Sequence, residues 1–325
     1  MVNRSPNKNM EMKLKMTKAN KKGIFFTSMA IVIFILFLIA FTFYDQVQER
    51  KAIQSRISTM NSFLFSMEQD LQRQVYTSGF RSIFLFEKKI SESGSFISNF
   101  NSTLTELFIN GTLYSVPEDL MLGATLTDIE NSIQNKADKI NVDVDFRYQS
   151  FSLTQDSPWK IKAILIANLT MQDKSNLALW NKTEVITAEI SVENFEDPLY
   201  TINTQSLIIN KINKTTHFPF VSGSNVANLS AHAQNSLYTN SSEAPSFLDR
   251  LQGLTSASPY GIESIVNTQR LSQQGITVED KSVVDHIYFS SDDPATSQIT
   301  GMPSWFKLDE AHVDLYQSRS LSSFP

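Results

Sequence analysis

Residues 24–44 form an uninterrupted apolar run without a charged residue, and this run constrains the chain more than any other feature. It reads IFFTSMAIVIFILFLIAFTFY. At about 1.5 Å per residue, a helix of this length spans roughly 30 Å, the thickness of the hydrocarbon core of a bilayer. The core helix of a soluble protein would normally have one polar face, which this run lacks. The sequence therefore predicts a transmembrane helix whose partner is the lipid bilayer.

Charged residues are distributed unequally on the two sides of this run. Residues 1–23 carry seven lysine and arginine residues and one acid, whereas residues 45–325 carry 21 basic and 32 acidic residues. Because basic residues beside a membrane helix stay on the cytoplasmic side, we expect residues 1–23 to form a cytoplasmic basic head. The rest of this single-pass protein of the cell membrane would then be extracellular. The acidic body argues against nucleic acid as a partner, since nucleic-acid binding needs clustered lysine and arginine.

The junction between the basic head and the apolar run carries a short motif. Lys21, Lys22 and Gly23 directly precede the run, and this junction resembles the class III signal peptide of archaeal type IV pilin-like proteins. The resemblance implies cleavage between Gly23 and Ile24 and packing of the freed helix into a filament core. Ser28 stands where bacterial pilins carry Glu. The alternative interpretation is an uncleaved signal anchor with ordinary flanking lysines.

Residues 45–94 are predicted to continue the helix as a stalk. No glycine or proline interrupts residues 45–78, Gly79 is expected to be tolerated, and Gly94 ends the helix. Apolar residues with alternating spacings of four and three form a heptad seam: Ile53, Ile57, Met60, Leu64, Met67 and Leu71. Two partners fit such a seam. One is another copy in a coiled coil, which would give a homo-oligomer through the membrane helix and stalk; the other is the protein's own globular domain.

Residues 95–221 are predicted to form the core of an α+β ectodomain. Thr127 and Glu130 have the spacing of a capping box and introduce a helix that extends to residue 140. Apolar and polar residues then alternate with a period of two, and a slip at Gln149-Ser150 indicates a bulge. The alternation predicts three antiparallel strands, approximately residues 142–153, 159–171 and 186–192. The stalk or the short helix would cover the apolar face of this sheet.

The remaining segments carry weaker patterns. Residues 95–116 lack a clear period and are expected to be irregular, and residues 207–212 suggest a fourth strand. Residues 222–325 are predicted to form a loop-rich C-terminal part of the ectodomain, in which residues 222–246 form a long exposed loop. This part is expected to contain two short helices, residues 246–253 and, capped by Asp309, residues 305–316.

No pattern in the sequence predicts a catalytic, cofactor-binding or metal site. The chain has no cysteine, and none of its four histidines has a second histidine three or four residues away. Asp285-His286 and Asp309-Glu310-x-His312 place carboxylates beside imidazoles, as a metal or proton-transfer site would. Solvated loops and helix ends give the same pattern and are the favoured interpretation. We therefore expect no cofactor, no metal and no enzymatic activity.

Glycosylation is the modification that the sequence suggests. Seven Asn-x-Ser/Thr triplets without a central proline follow the apolar run. They begin at Asn101, Asn110, Asn168, Asn181, Asn213, Asn228 and Asn240. Most fall in predicted loops or at strand ends, where a glycan has room. A surface rich in serine and asparagine gives such triplets by chance and is the alternative.

The sequence favours a structural or interaction protein, namely a membrane-anchored pilin-like or adhesin-like surface subunit. Residues 256–267 and 282–290 resemble segments of uncharacterised archaeal membrane-anchored proteins, a resemblance that implies no activity. An anchored ligand-binding or sensory head that acts through a partner is the alternative function. An anchored hydrolase is a third, supported by scattered aspartate, histidine and serine residues alone.

Overall fold

The computed structural model describes residues 21–324, and its two compact units divide between Thr59 and Met60. Residues 1–20 of the predicted basic head lie outside the described residues. Helices are mixed with small antiparallel sheets, and the first helix is long and apolar at its N-terminal end. This composition is compatible with the predicted α+β class.

After the long first helix, short helices and strands are mixed along the chain, and the three longest strands follow one another near its middle. The first half contains α1 (Lys21–Ser93), α2 (Phe100–Asn110), β1 (Thr112–Leu113), β2 (Val116–Pro117), α3 (Leu126–Asp138), β3 (Val142–Ser157), β4 (Lys160–Asp173) and β5 (Leu179–Ser191). The second half contains α4 (Pro198–Asn203), α5 (Ala227–Gln234), β6 (Tyr238–Asn240), α6 (Phe247–Leu251), β7 (Ile262–Ser264), α7 (Thr268–Gln273), α8 (Asp285–Tyr288), β8 (Thr296–Gln298), β9 (Lys307–Asp309) and α9 (Glu310–Val313).

The N-terminal part of α1 is helical and has exposed apolar side chains. Its most apolar stretch reaches a mean hydropathy of 2.6 and has none of its residues buried, so the helix is long and apolar enough to cross a membrane. Thr27 and Thr42 do not interrupt it, because their hydroxyls donate to the carbonyls of Gly23 and Leu38, each at 2.6 Å. Their polar groups are thereby satisfied within the helix. This part of α1 is a candidate membrane span.

From Met60 onward, α1 belongs to the core of the second unit. Met60, Met67 and Leu71 are buried in the main hydrophobic cluster, and Leu64 packs against it at partial exposure. These are four of the six residues of the predicted seam. Of the two partners that the sequence allows for the seam, the protein's own globular domain is the one that covers this part. Ile53 and Ile57 belong to the first unit and are half-buried.

The strands β3, β4 and β5 form an antiparallel meander in this order, as the alternation predicts. The expected bulge is confirmed, because the register between β3 and β4 shifts between Tyr148 and Ser150. The inward face is apolar and the α1 helix covers part of it. The α2 helix covers more, since the ring of Phe108 stacks on that of Phe151 with centroids 4.1 Å apart.

Gly79 marks the closest approach of α1 to the sheet. A Cβ atom at this position would lie 2.8 Å from Cδ1 of Ile190 and 2.9 Å from Cβ of Ala163, well inside van der Waals contact. The residue is therefore not merely tolerated in the helix, as the sequence suggests. Its missing side chain allows the helix backbone to lie directly on the sheet.

Several local expectations are wrong. Residues 95–116 contain the helix α2, whose buried residues Thr103, Leu104, Leu107 and Phe108 recur at helical spacing. The capping box of α3 is formed by Thr125 and Asp128 rather than by Thr127 and Glu130: Thr125 N donates to Asp128 Oδ2 at 3.0 Å, and Asp128 N donates to Thr125 Oγ1 at 3.3 Å.

The second half of the chain differs more from the expectations. Within the described residues, 207–212 form no strand, because pairing with the segment around Glu196 is limited to one bridge, to Lys211. The predicted exposed loop 222–246 contains α5 and β6, with Leu229, His232 and Tyr238 buried. The short helix after Ser246 is confirmed, and Ser246 caps it through a capping box with Asp249.

The predicted division of the ectodomain at residue 221 has no counterpart in the packing. The main hydrophobic cluster combines Leu153 and Ile190 of the sheet with Phe247, Leu251 and Ile262 from beyond this boundary. A second cluster, around Phe220, Val284, Phe306 and other residues, fills the C-terminal half. Residues 60–325 are therefore one compact unit.

Replacement of Gly79 by alanine tests the close approach of α1 to the sheet. We expect Gly79→Ala to lower the free energy of unfolding by about 1–2 kcal/mol, because the added methyl group forces helix and sheet apart. The higher helix propensity of alanine would by itself raise the free energy of unfolding. Denaturant unfolding of the detergent-solubilised chain would measure it, with the exposed Gln72→Ala change on the same helix expected within about 0.5 kcal/mol of wild type. An unchanged or more stable Gly79→Ala protein would contradict the packing.

Glu87, on the buried face of α1, gives the fold a pH dependence. Its Oε1 atom accepts a hydrogen bond from the backbone N of Glu196 at 2.8 Å. Burial, with smaller contributions from the carboxylates of Glu196 and Asp197, outweighs this bond and raises the pKa of Glu87 from 4.5 to about 9. Between these two values the folded state holds a proton that the unfolded state has lost. The stabilisation from this proton is complete below about pH 4.5 and is lost as the pH rises through about 9.

We therefore predict that Glu87 lowers the free energy of unfolding by about 1.4 kcal/mol for each pH unit between about pH 4.5 and pH 9. In Glu87→Gln this slope should disappear, because the amide does not titrate. Urea unfolding of the solubilised chain at a series of pH values measures it, with the exposed Glu92→Gln change as the matched control on the same helix. A Glu87→Gln protein with the wild-type slope would show that Glu87 is ionised in the folded state.

Candidate functional site

The C-terminal half is organised around a buried arginine. Arg250 of α6 is fully buried, and its Nη1 atom lies 2.6 Å from Oδ2 of Asp197 and 3.0 Å from Oδ2 of Asp285. Its Nη2 atom donates to Oδ1 of Asp285 at 3.1 Å and to the carbonyl of Ile262. One guanidinium therefore joins the residue that precedes α4, the helix α6, the strand β7 and the start of α8.

The two carboxylates of this centre have further donors. Tyr238 donates its hydroxyl to Asp197 at 2.8 Å, and Ser264 donates its N–H and its hydroxyl to Asp285 at 2.9 and 2.8 Å. Although burial opposes it, Arg250 holds the pKa of Asp285 below its usual range. Burial and the like charge of Asp285 raise the pKa of Asp197. The charge of Arg250 is thus shared unequally between its two partners.

A second buried polar group lies next to this centre along the chain. Glu263 precedes Ser264 in β7, His286 follows Asp285 in α8, and His312 comes from α9. Glu263 is fully buried, and His286 and His312 are 3% and 2% exposed. One ligand atom from each of the three residues lies within 4.8 Å of the other two. We call these three residues the His–Glu cluster.

The ring of His312 lies between two carboxylates. Its Nδ1 atom is 2.6 Å from Oδ1 of Asp309, and its Nε2 atom is 3.4 Å from Oε2 of Glu263. Asp309 also accepts a hydrogen bond from Ser282 Oγ at 2.6 Å, so it does not cap α9 as the sequence predicts. Burial alone would lower the pKa of His312, but the contacts with Asp309 and Glu263 raise it to about 10. The position of the ring strongly favours a positive charge.

Several polar atoms of this region lack a hydrogen-bond partner among residues 21–324. They are both carboxylate oxygens of Glu263, Nδ1 of His286, Nε2 of His312 and the hydroxyl of Tyr316. Tyr316 is fully buried, and burial together with the charge of Glu263 raises its pKa well above 10. Buried polar atoms are nearly always paired in folded proteins. This concentration of atoms without a hydrogen bond distinguishes the cluster from the Arg250 centre, where among the described residues Nε of Arg250 is the one side-chain atom without a partner.

The cluster lies close to the surface on the side of His312. This residue lines a cavity of about 290 Å³ together with Asn240, Ser241, Ser242, Glu243, Pro259, Ala311 and Leu315. The cavity is open to solvent and has hydroxyl and carboxylate groups on its walls. Two imidazoles and one carboxylate are donors that can bind a divalent cation or move a proton.

The expectation that the Asp285-His286 and Asp309…His312 pairs lie in solvated segments is wrong, because all four residues are buried. The sequence patterns do not identify Glu263, the third residue of the His–Glu cluster, because it belongs to no local motif. Its position in a three-residue strand with every side chain buried could have been a signal, since a buried glutamate needs a charged partner.

Among the predicted processing and glycosylation residues, Asn240 lines the cavity beside His312. Gly23, at the predicted cleavage point before Ile24, is exposed near the start of α1. Five of the predicted glycosylation residues are exposed, namely Asn101, Asn110, Asn181, Asn213 and Asn240. Asn228 is half-buried and donates its side-chain amide to the carbonyl of Pro219 at 2.8 Å.

Two of the triplets face each other across the sheet. In the register of β4 and β5, Asn168 is opposite Thr183, and Thr170 is opposite Asn181. Thr183 donates its hydroxyl to Oδ1 of Asn168 at 2.8 Å. This cross-strand hydrogen bond holds the side chain of Asn168 against the sheet and explains the Asn168–Thr183 pair without a glycan.

Comparisons with protein-family models, with curated proteins and with solved structures found no match to this chain. Its geometry therefore carries the argument about function.

Replacement of Arg250 tests whether the ionic centre holds the C-terminal half together. We expect Arg250→Met to lower the free energy of unfolding by about 3–5 kcal/mol, because it leaves Asp197 and Asp285 buried without their counter-ion. The exposed pair between Lys160 and Glu189 supplies the control: Lys160→Met should cost less than about 1 kcal/mol. Urea unfolding of both variants measures the difference. Equal effects would contradict a structural role for the buried centre.

Proposed function

We propose that this protein is a membrane-anchored, extracytoplasmic structural or interaction subunit that assembles through the exposed apolar part of α1. The observation that carries this proposal is the exposure of nearly every large apolar side chain between Phe25 and Tyr44, most of them at about half or more of their surface. Exposed apolar surface of this extent needs lipid or protein around it. Both environments are available to a helix that anchors the chain and packs against copies of itself.

The packing of α1 after Met60 limits where such assembly takes place. Met60, Met67 and Leu71 already contact the protein's own core, so they have no apolar surface left for a coiled coil. The seam residues that remain for a partner are Ile53 and Ile57, next to the apolar run. Residues 60–325 then act as a finished globular head, and contacts between subunits are made by the preceding part of the helix.

The pilin-like version of this proposal rests on Gly23. A Cβ atom at this position would meet no atom within 4 Å apart from the adjacent residues and the backbone of its own helix, among the described residues, and Gly23 does not adopt a left-handed backbone. Packing therefore gives no reason for a glycine here, in contrast to Gly79. Recognition by a peptidase that cuts after Gly23 supplies one, in agreement with the resemblance of the junction to class III signal peptides.

The extracytoplasmic location of the head has two supports. Seven lysine and arginine residues directly precede the apolar run, on the side that the positive-inside rule assigns to the cytoplasm. Five glycosylation triplets of the head have exposed asparagines. The absence of cysteine from the chain means that an oxidising compartment would not change its covalent structure.

The N-terminus of the mature protein separates the pilin-like version from a simple anchor. We predict that intact-mass spectrometry of protein isolated from its native membranes finds Ile24 as the first residue. In Gly23→Val, where a bulky residue stands before the cleaved bond, residues 1–23 should remain attached. A wild-type protein that begins at Met1, or at Val2 after removal of the initiator, would exclude the pilin-like version and leave an uncleaved anchor.

A further inference from the structure

The three residues of the His–Glu cluster form a set of donors with the composition of a zinc site. Two histidines and one glutamate are a common set of protein ligands for zinc in sites that keep a fourth position for water. Magnesium and calcium, by contrast, select oxygen ligands. The three residues come from β7, α8 and α9, so the donors meet only when these short elements are folded together.

The distances within the cluster are compatible with ligands of one metal ion. With zinc–ligand bonds of about 2.0–2.2 Å, two ligand atoms of a tetrahedral site lie about 3.4 Å apart. The separation between Nε2 of His312 and Oε2 of Glu263 is 3.4 Å, a distance that suits an ion pair and equally two ligands of one zinc ion. The third ligand atom, from His286, lies within 4.8 Å of both.

The surroundings of His312 have the arrangement expected around a metal ligand. A histidine that binds a metal through one ring nitrogen usually donates its other N–H to a carboxylate. Asp309 holds Nδ1 of His312 at 2.6 Å and is itself held by Ser282, which leaves Nε2 directed towards Glu263. The orientation of this ring is thus fixed by residues that would not touch the metal.

The unpaired atoms give a second, independent argument. Both oxygens of the fully buried Glu263 lack a hydrogen-bond partner within residues 21–324, and so do Nε2 of His312 and the hydroxyl of Tyr316. Unpaired buried groups of this kind are costly. One cation would bind the carboxylate and the imidazoles together, and a water molecule on that cation would donate a hydrogen bond to the hydroxyl oxygen of Tyr316. His312 also lines the cavity of about 290 Å³ that is open to solvent.

We propose that Glu263, His286 and His312 bind one divalent transition-metal ion, with zinc as the ion that this donor set selects and water in the remaining position. This site is independent of the assembly proposed above. It would also link β7, α8 and α9, none of which is longer than four residues. The metal would therefore stabilise the C-terminal half of the head.

Metal content and the spectrum of bound cobalt test this proposal. The full-length chain is purified in detergent without a polyhistidine tag, treated with a chelator, and dialysed against zinc or cobalt. We expect about one equivalent of zinc per chain, and a rise of about 5 °C in the unfolding temperature at saturating zinc. Cobalt in the wild-type protein should give the intense visible bands of four-coordinate Co²⁺. Wild-type protein with less than about 0.2 equivalents of zinc, or cobalt without these bands, would overturn the proposal.

Variants then assign the ligands. Glu263→Gln and His286→Gln keep the size of each side chain and should lower bound zinc at least tenfold, whereas His217→Gln, which replaces a half-buried histidine outside the cluster, should retain the full equivalent. Circular dichroism of the metal-free proteins establishes whether each variant folds. A folded Glu263→Gln or His286→Gln protein that binds zinc as tightly as His217→Gln would show that the cluster is a structural ion-pair group only. The wild-type cobalt spectrum decides the question even where a variant does not fold.

Discussion

The contact between α1 and the three-stranded sheet is the interaction on which the rest of the structure depends. A sheet of three strands has one apolar face that must be covered, and the face that contains Leu153, Ala163 and Ile190 is covered by the helix at Gly79. Because the glycine has no side chain, the helix backbone lies directly on these residues. The same contact occupies the apolar surface of α1 from Met60 onward. The part of α1 before Met60 keeps most of its apolar side chains exposed.

The C-terminal half of the chain is stabilised in a different way. Its helices and strands have three to eight residues each, too few for any of them to be stable alone. They are held by buried polar groups as well as by apolar packing: Arg250 joins Asp197 and Asp285, and the cluster of Glu263, His286 and His312 lies beside it in the chain. The first group is nearly saturated with hydrogen bonds. The His–Glu cluster is not, and for this reason we assign a ligand to the His–Glu cluster and a structural role to the Arg250 group.

The sequence was informative where the signal is local. Apolar composition alone reveals the membrane-span candidate, the alternation with its slip at Gln149-Ser150 gives the sheet and its bulge, and Ser246 gives the start of α6. The sequence was misleading where two overlapping segments fit the same local pattern. Thr127 and Glu130 fit a capping box as well as Thr125 and Asp128 do, and the choice depends on how the preceding chain enters the helix.

The candidate site could not be predicted because its defining contacts join residues far apart in the chain. Asp285-His286 has the same local pattern whether the pair is solvated or buried, and the pairing of Asp285 with Arg250 decides between the two. Gly79 likewise looks like a tolerated interruption until the sheet is placed against it. In each case the deciding partner lies more than thirty residues away, which no periodicity or capping pattern detects.

The central claim of this account is that α1 has two separate functions: its apolar N-terminal part contacts lipid and other copies, and its part after Met60 contacts the protein's own head. Disulfide or bis-maleimide crosslinking of single cysteines tests it most directly, because the native chain has none. In native membranes, Ile35→Cys should give crosslinked dimers and Leu64→Cys, on the seam but within the head, should give monomers. Crosslinking through position 64, or monomers alone at position 35, would contradict the account.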